Sequence, residues 1–156
     1  MNDCWNFFKY ASSNDLNRVI DLFKNNIWLS KYSHAYIKEK IDKKECIYES
    51  GVVITFKLVK KIMKVGNINI QPNNTFLDQI VRENLDLKNT YAHHVLTKFL
   101  NCTSGNTYLT VDINNYRALK FYQKMKMHRL DEYISKVDKK KKIIFIFKKE
   151  NSLDLN

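Results

Sequence analysis

The segment from Thr107 to Met127 constrains the fold most, because an alternating strand pattern runs directly into a helical apolar stripe. At about 100° per residue, Asn115, Ala118 and Tyr122 lie within about 60° of one another on that helix. Asn offers a donor and an acceptor, Ala permits close approach, and Tyr adds a hydroxyl. The stripe therefore predicts either ordinary cap, core and rim residues or a surface that binds and transforms a ligand.

The rest of the chain supplies strands and helices on both sides of this segment. Strands are predicted over 5–10, 46–49, 52–59, 63–70, 107–113, 133–137 and 143–147, and helices over 16–23, after 33, over 75–84, after 86 and over 115–127. The capping box at Ser12 to Asp15 and the turn Ser50-Gly51 set two of these boundaries. This order predicts an α+β fold with helices packed on one mixed, curved sheet of about six to seven strands and about four to five helices.

Length and composition favour one compact domain over 1–150, followed by a tail over 151–156. The chain has 156 residues, 44% of them apolar, with only 3 Gly and 1 Pro, so no linker composition divides it. Cys4, Cys46 and Cys102 are odd in number and widely spaced, which predicts neither a disulfide framework nor a metal site. Without a signal-like N-terminus or a long apolar run, we expect a reduced, cytoplasmic protein with no membrane partner.

The formal net charge is +11, and it has two explanations. A basic protein attracts polyanions, so nucleic acid is one partner to consider. However, the chain has only four Arg among its 27 basic residues, and Lys-rich, Asn-rich usage also follows from an AT-rich coding sequence. Arg is the better residue for bidentate phosphate or base recognition. The charge alone does not decide between coding bias with an anionic cofactor and a polyanionic substrate.

The 107–127 segment resembles the C-terminal signature of the GNAT superfamily of N-acetyltransferases. In that family a strand precedes N-x-x-A-x-x-F-Y-x-K-x-G-F, and Asn115, Ala118, Phe121, Tyr122 and Lys124 match in register. A second similarity is to the end of the family's fourth strand, I-x-V-x-P, which matches Ile68-Asn69-Ile70-Gln71-Pro72. The order of elements agrees over nearly the whole chain.

The resemblance implies an acetyl-CoA-dependent transferase that acetylates a primary amine by direct attack. Asn69 and Ile70 would bond the pantetheine arm through their backbone, and Asn115 would contact the same arm, beside Ala118 and Phe121. Tyr122 would be the general acid that protonates the departing thiolate, a role that typically contributes roughly 10²–10⁴-fold. The alternative for Tyr122 is a structural role, in which its ring packs and its hydroxyl lies at the rim of the helix face.

The family's pyrophosphate loop, Q/R-x-x-G-x-G/A, would fall on Leu87 to Ala92, at a helix N-terminus where free N–H groups hold anions. Thr90 replaces the first glycine and Leu87 the polar residue, while Ala92 fits. Lys88 could supply a charge. The residues implied to bind this end of the cofactor are Lys88, Asn89, Thr90, Tyr91 and Ala92.

Two further departures concern catalysis. Lys64 stands where many relatives have a glutamate base, and Lys126 replaces the glycine that ends the acid-bearing helix. Asp78, Glu83 and His94 are then candidates for the base, if the predicted 75–84 helix, an insertion relative to the family, covers the acceptor site. His93 and His94 are adjacent and thus poorly placed for joint metal binding, so no metal is expected.

The acceptor is expected to be an amine-bearing small molecule or protein, read near Tyr32, His34, Tyr36 and the 75–84 segment. One alternative is an acyl or aminoacyl transferase acting on nucleic acid or a nucleic-acid-associated protein. Another is a degenerate, non-catalytic binding module of the same fold. A homodimer is a further partner considered.

Overall fold

The α+β prediction is confirmed by a computed structural model, which describes residues 3–83 and 90–149, with backbone alone at Asp3 and Thr90. A mixed six-stranded sheet has the strand order β1-β2-β5-β6-β8-β7, and β3 and β4 form a separate two-stranded sheet. The described part of the chain has four α-helices and eight strands. Their bounds are α1 Leu16–Lys24, α2 His34–Asp42, β1 Cys46–Glu49, β2 Val52–Leu58, β3 Met63–Val65, β4 Ile68–Ile70, β5 Thr75–Arg82, α3 Thr90–Cys102, β6 Thr107–Asp112, α4 Tyr116–Lys124, β7 His128–Ile134 and β8 Lys141–Phe147.

The contacts divide the chain into two compact units. The first comprises Met1–Lys57 with Leu77–Lys98, and the second comprises Leu58–Phe76 with Phe99–Asn156. The predicted tail over 151–156 lies outside the described residues, so the domain boundary at 150 stays a prediction.

The first unit has a core built from two amphipathic helices and the β1–β2 hairpin. Val19 and Phe23 of α1 and Ile37 of α2 are buried in the same cluster as Val53 of β2 and Val81 of β5. The predicted capping box closes on Ser12, whose backbone N–H donates to Asp15 Oδ2 at 2.8 Å. The helix α2 follows Ser33 as predicted, and Ser33 Oγ caps it by accepting from the Tyr36 N–H at 3.1 Å.

The second unit packs around β8, whose residues 143–147 are all buried. One of its residues, Phe145, contacts the ring of Tyr122 on α4, with ring centroids 6.3 Å apart. Its neighbour along β8, Ile144, belongs to a cluster with Val65 and Ile70 of the β3–β4 hairpin. Successive side chains of a strand point to opposite faces, so β8 is covered on both sides, which accounts for its continuous apolar run.

The predicted first strand over 5–10 is wrong. Residues Asp3–Phe7 form a short 3₁₀ helix, and Tyr10 makes only an isolated bridge to Ile47. The aromatic alternation has a different cause, because Trp5 stacks on Phe56 with ring centroids 5.3 Å apart. These aromatic side chains make packing contacts and do not alternate across the pleat of a strand.

The predicted single strand over 63–70 is also wrong. It folds back at Gly66, which has φ +57, into the antiparallel β3–β4 hairpin. An added Cβ at Gly66 would lie 2.9 Å from the Tyr133 side chain, so both the backbone angle and the space require glycine. Asn69 and Ile70 therefore lie in a small hairpin outside the six-stranded sheet.

The predicted helix over 75–84 is wrong as well, because this segment is the strand β5. Its first residues pair in parallel with β6 at Thr75↔Thr107 and Phe76↔Tyr108. The apolar residues Phe76, Leu77, Ile80 and Val81 fit a helical stripe, but they also fit a strand covered on much of both faces. A strand that is parallel to β6 buries these residues better than a surface helix would.

The cysteines differ from expectation. Cys4 and Cys102 are disulfide-bonded, whereas Cys46 is a buried free thiol. Burial raises the pKa of the Cys46 thiol to about 12, so it stays protonated.

Candidate active site

The helix α4 begins at the asparagine that the sequence singled out. Asn115 is its N-cap, and its Oδ1 accepts from the Ala118 N–H at 3.3 Å. The Asn115 N–H donates to Asp112 O at 2.9 Å, which ties the cap to the end of β6. The side-chain oxygen is thus used in capping, and the amide nitrogen is the group of Asn115 that could still donate to a ligand.

Tyr122 lies two turns further along α4 and is almost fully buried, with 5% of its surface exposed. Its ring lies between Phe121 and Phe145, with centroid distances of 5.4 and 6.3 Å. Within residues 3–83 and 90–149, no hydrogen bond to its hydroxyl is found. Burial raises the pKa of Tyr122 above its ordinary value, so this phenol holds its proton throughout the neutral range.

A left-handed residue ends α4 where the family has glycine. Lys126 has φ +63, its N–H donates to Gln123 O at 3.1 Å, and the Met127 N–H donates to Tyr122 O at 3.1 Å. These two bonds are the Schellman pattern that normally recruits glycine. The geometry of the motif is retained although the glycine is not, so Lys126 does not displace Tyr122.

The start of α3 is where the pyrophosphate loop was predicted. The helix begins at Thr90; Ala92 is buried and Tyr91 is exposed. Lys88 and Asn89 lie outside the described residues. The five assigned residues, and the use of this helix N-terminus for an anion, stay predictions.

The edge of β6 offers a second feature that a thioester arm could use. Among the described residues, the register between β5 and β6 has two pairs and ends at Phe76↔Tyr108. From Leu109 to Asp112, β6 continues to pair with β8 on its other side. The facing backbone groups of this stretch have no strand partner in the described chain, and such groups need hydrogen bonds from water or a ligand.

A buried polar network in the first unit was not predicted as a whole. Asp78 Oδ2 accepts from Tyr36 Oη at 2.8 Å and lies 2.8 Å from Lys40 Nζ. Lys40, only 8% exposed, also donates to Phe56 O at 2.7 Å and lies 3.4 Å from Glu45. Burial first, and then the negative charge of Asp78, raises the pKa of Tyr36, so its hydroxyl remains a donor.

The sequence had identified Tyr36 and Asp78 separately but did not connect them. Lys40 was missed because it lies on the apolar side of a helix that was read only for its hydrophobic residues. The one indication in the sequence was Asp78, an acid inside an apolar stretch. Because residues 75–84 were predicted to form a helix, no contact between Asp78 and α2 was expected.

The other residues considered as a base are in different surroundings. Glu83 is at the surface, where it accepts from Tyr48 Oη and lies 3.5 Å from Arg18 Nε. His94 is exposed on α3. Lys64 lies on β3, in the β3–β4 hairpin outside the six-stranded sheet. Asp78 is the only one of these carboxylates within a buried network in the described chain.

No group of His, Cys, Asp and Glu among residues 3–83 and 90–149 has the arrangement needed to hold a metal ion. Across the same residues, the structure contains no helix of the length and hydrophobicity that crossing a bilayer requires.

Known structures share the fold of this protein, but their sequences are only distantly similar to it. No family model matches the sequence, and no curated protein matches it. A GNAT-family acetyltransferase from Bacillus cereus superposes with a TM-score of 0.68 at 19% identity, covering 90% of this chain and 94% of the other. NAA60 of Arabidopsis thaliana in complex with acetyl-CoA gives 0.62 at 14%, covering 90% and 97%.

A variant of the spermidine N-acetyltransferase SpeG from Vibrio cholerae gives a TM-score of 0.62 at 12% identity, covering 94% of this chain and 95% of that one. At such identities a structural match establishes architecture and not activity. The element order, the mixed sheet and these superpositions agree with the resemblance seen in the 107–127 segment. This protein has the fold of the GNAT acetyltransferases.

Proposed function

We propose that the protein is an N-acyltransferase that uses acetyl-CoA as acyl donor and a primary amine as acceptor. The observation that carries the proposal is Tyr122, a buried phenol on the helix that follows β6, with a raised pKa and a hydroxyl free of hydrogen bonds within the described chain. The fold of proteins such as the acetyl-CoA complex of NAA60 supports this reading.

The cofactor would be held by backbone and cap groups. The unpaired edge of β6 and the Asn115 amide nitrogen suit a pantetheine arm, which is rich in amides. Binding of the pantetheine arm by strand backbone groups, first assigned to Asn69 and Ile70, is now assigned to β5, because β5 is the strand parallel to β6. The N-terminus of α3, with Thr90 to Ala92, would take the pyrophosphate. Acetyl-CoA would supply an acyl group activated as a thioester.

Tyr122 would keep its Oη protonated until the CoA thiolate forms and accepts that proton. A phenol with a raised pKa is neutral at all physiological pH values, so the donor form is always present. Its packing between Phe121 and Phe145 fixes the ring, so little orientation is lost when the proton moves.

Within the first unit, Asp78 is the carboxylate whose surroundings suit an amine ligand. Tyr36 and Lys40 both occupy its Oδ2, and in the described chain no hydrogen bond is found at its Oδ1, which can accept from an amine N–H. Lys40 Nζ balances the charge of the carboxylate from 2.8 Å, and a carboxylate oxygen can bind an ammonium group or accept a proton.

The test is the release of CoA thiol on mixing the protein with acetyl-CoA and a panel of primary amines, including polyamines and peptide amines. We expect amine-dependent release in the native chain. Tyr122→Phe should lower kcat roughly 10²–10⁴-fold with little change in KM for acetyl-CoA, since the hydroxyl acts only when the thiolate forms.

Tyr116→Phe is the matched control, because Tyr116 lies on the same helix and is 74% exposed. It should retain native turnover. Equal turnover by Tyr122→Phe and Tyr116→Phe at all pH values would refute the acid role of Tyr122.

A further inference from the structure

The positive charge of the protein is concentrated in the second unit. Its described residues, 58–76 and 99–149, contain 15 Lys and Arg against four Asp and Glu, whereas those of the first unit contain 11 against nine. Coding bias acts on the whole chain, so it does not account for a difference between the units. An asymmetric charge indicates a surface that faces a polyanion.

The most exposed part of this unit is the last residue of β7 together with the turn that follows it, residues 134–140, which we name the tip segment. Its Val137 is 95% exposed and its Ile134 is 67% exposed. Lys136, Lys139 and Lys140 are exposed, and none of the three has an ion pair among the described residues. Two aliphatic side chains thus stand among three unpaired cations.

The backbone of the tip segment is held in a fixed shape. The Ser135 N–H donates to Lys140 O and the Lys139 N–H donates to Ser135 O, both at 2.9 Å. The one acid of the segment, Asp138, is engaged inside it, since its Oδ1 accepts from the Lys140 N–H at 3.0 Å and its Oδ2 lies 3.1 Å from Lys142 Nζ. The acid therefore organises the turn, and the charge presented outward is positive.

The chemistry of the tip segment distinguishes two kinds of polyanion. Nucleic-acid surfaces use Arg for bidentate contacts and aromatic rings for stacking, and the segment has neither. An anionic bilayer attracts lysines through its surface charge and accepts aliphatic side chains in its headgroup region. Exposed Val137 and Ile134 would make apolar contacts in the headgroup region of a bilayer, whereas a phosphate backbone offers them no such contacts.

We propose that the tip segment is a docking element for bilayers that contain anionic lipids. Val137 and Ile134 enter the headgroup region, and Lys136, Lys139 and Lys140 contact lipid phosphates and carboxylates. Each lysine near such a surface strengthens binding about fivefold, so three give a preference of about 100-fold for anionic over neutral vesicles. The contact is peripheral and salt-dependent.

The test is co-sedimentation of the full chain with phosphatidylcholine vesicles and with vesicles in which about a third of the lipid is phosphatidylserine. Binding to the second kind alone is the expected result. The double variant Lys139→Ala/Lys140→Ala should weaken it about 30-fold, while Lys24→Ala/Lys57→Ala, two exposed lysines of the first unit, removes the same charge and should change it less than threefold.

The apolar part is tested by Val137→Asp, paired with Ile27→Asp at a residue that is 83% exposed in the first unit. Only the former should reduce vesicle binding, by tenfold or more, and both should retain the native melting temperature. Equal effects of the paired variants would overturn the proposal. So would absent vesicle binding, or tip variants that lose affinity for duplex DNA while vesicle binding is unchanged.

Discussion

Replacing Lys40 by Met tests the buried network most sharply. Lys40 Nζ lies 2.8 Å from Asp78 Oδ2 and 2.7 Å from Phe56 O, and the residue is 8% exposed. Met has a similar length but cannot donate, so the change leaves the Asp78 carboxylate with the Tyr36 hydroxyl and without its cation. Breaking a buried pair in this way costs about 3–5 kcal/mol of the free energy of unfolding.

The matched control is Lys38→Met on the same helix. Lys38 Nζ lies 2.8 Å from Asp42 Oδ2, the same distance, but the side chains are 65% and 57% exposed. An exposed pair of this kind contributes little to stability, because water and salt screen it. The two variants therefore differ in the burial of the pair and in the contacts of Lys40 with Phe56 O and Glu45.

Thermal unfolding and urea unfolding, both followed by circular dichroism, measure the two variants. Lys40→Met should lower the melting temperature by roughly 6–20 °C, because about 1 kcal/mol corresponds to about 2–4 °C in a chain of this size. Adding Asp78→Asn to Lys40→Met removes the unpaired carboxylate and should recover part of the loss. Equal losses in Lys40→Met and Lys38→Met would refute the claim that burial makes this pair important.

Three further outcomes are expected. Lys44→Gly should raise the free energy of unfolding by about 0.5–1 kcal/mol, because Lys44 has φ +57 at the end of α2, and Lys44→Ala, which keeps a Cβ, should not. Gly105→Ala should destabilise the chain in the same urea assay, since the added Cβ would lie 2.5 Å from Asn73 O and 2.6 Å from Asn74 Oδ1. Burial raises the pKa of Tyr122, so the contribution of this residue to stability should be constant below about pH 10 and fall above it, where the unfolded tyrosine ionises and the buried one does not. Tyr122→Phe should reduce the fall of stability with pH by one proton, and an unchanged slope above pH 10 would contradict the assignment.

The sequence predicted α4 and the elements around it well. Asn115 caps α4, and Tyr122 is buried against the sheet, because helical spacing and capping act over a few residues and are visible locally. The hairpin β1–β2 and the buried face of α3 were predicted for the same reason. The resemblance to the GNAT superfamily then suggested that this helical stripe binds a cofactor and supplies an acid.

The errors came from segments whose conformation is set by distant contacts. Residues 75–82 fit two periodicities, and pairing with β6 decided between them. Residues Ile68–Ile70, taken for part of one long strand, form one arm of the β3–β4 hairpin, which packs through Val65 and Ile70 against Ile144. The Lys40–Asp78 pair joins residues on different elements, so it became visible only when β5 was known to be a strand.

Isothermal titration calorimetry with acetyl-CoA tests the central claim most directly, because acyl transfer from CoA requires that the chain bind it. We predict saturable binding of one molecule per chain, weakened by changing Asn115 to Ala and unchanged by the exposed control Asn14→Ala. Heats no larger than those of dilution, for both acetyl-CoA and CoA, would contradict the proposed function while leaving the fold intact.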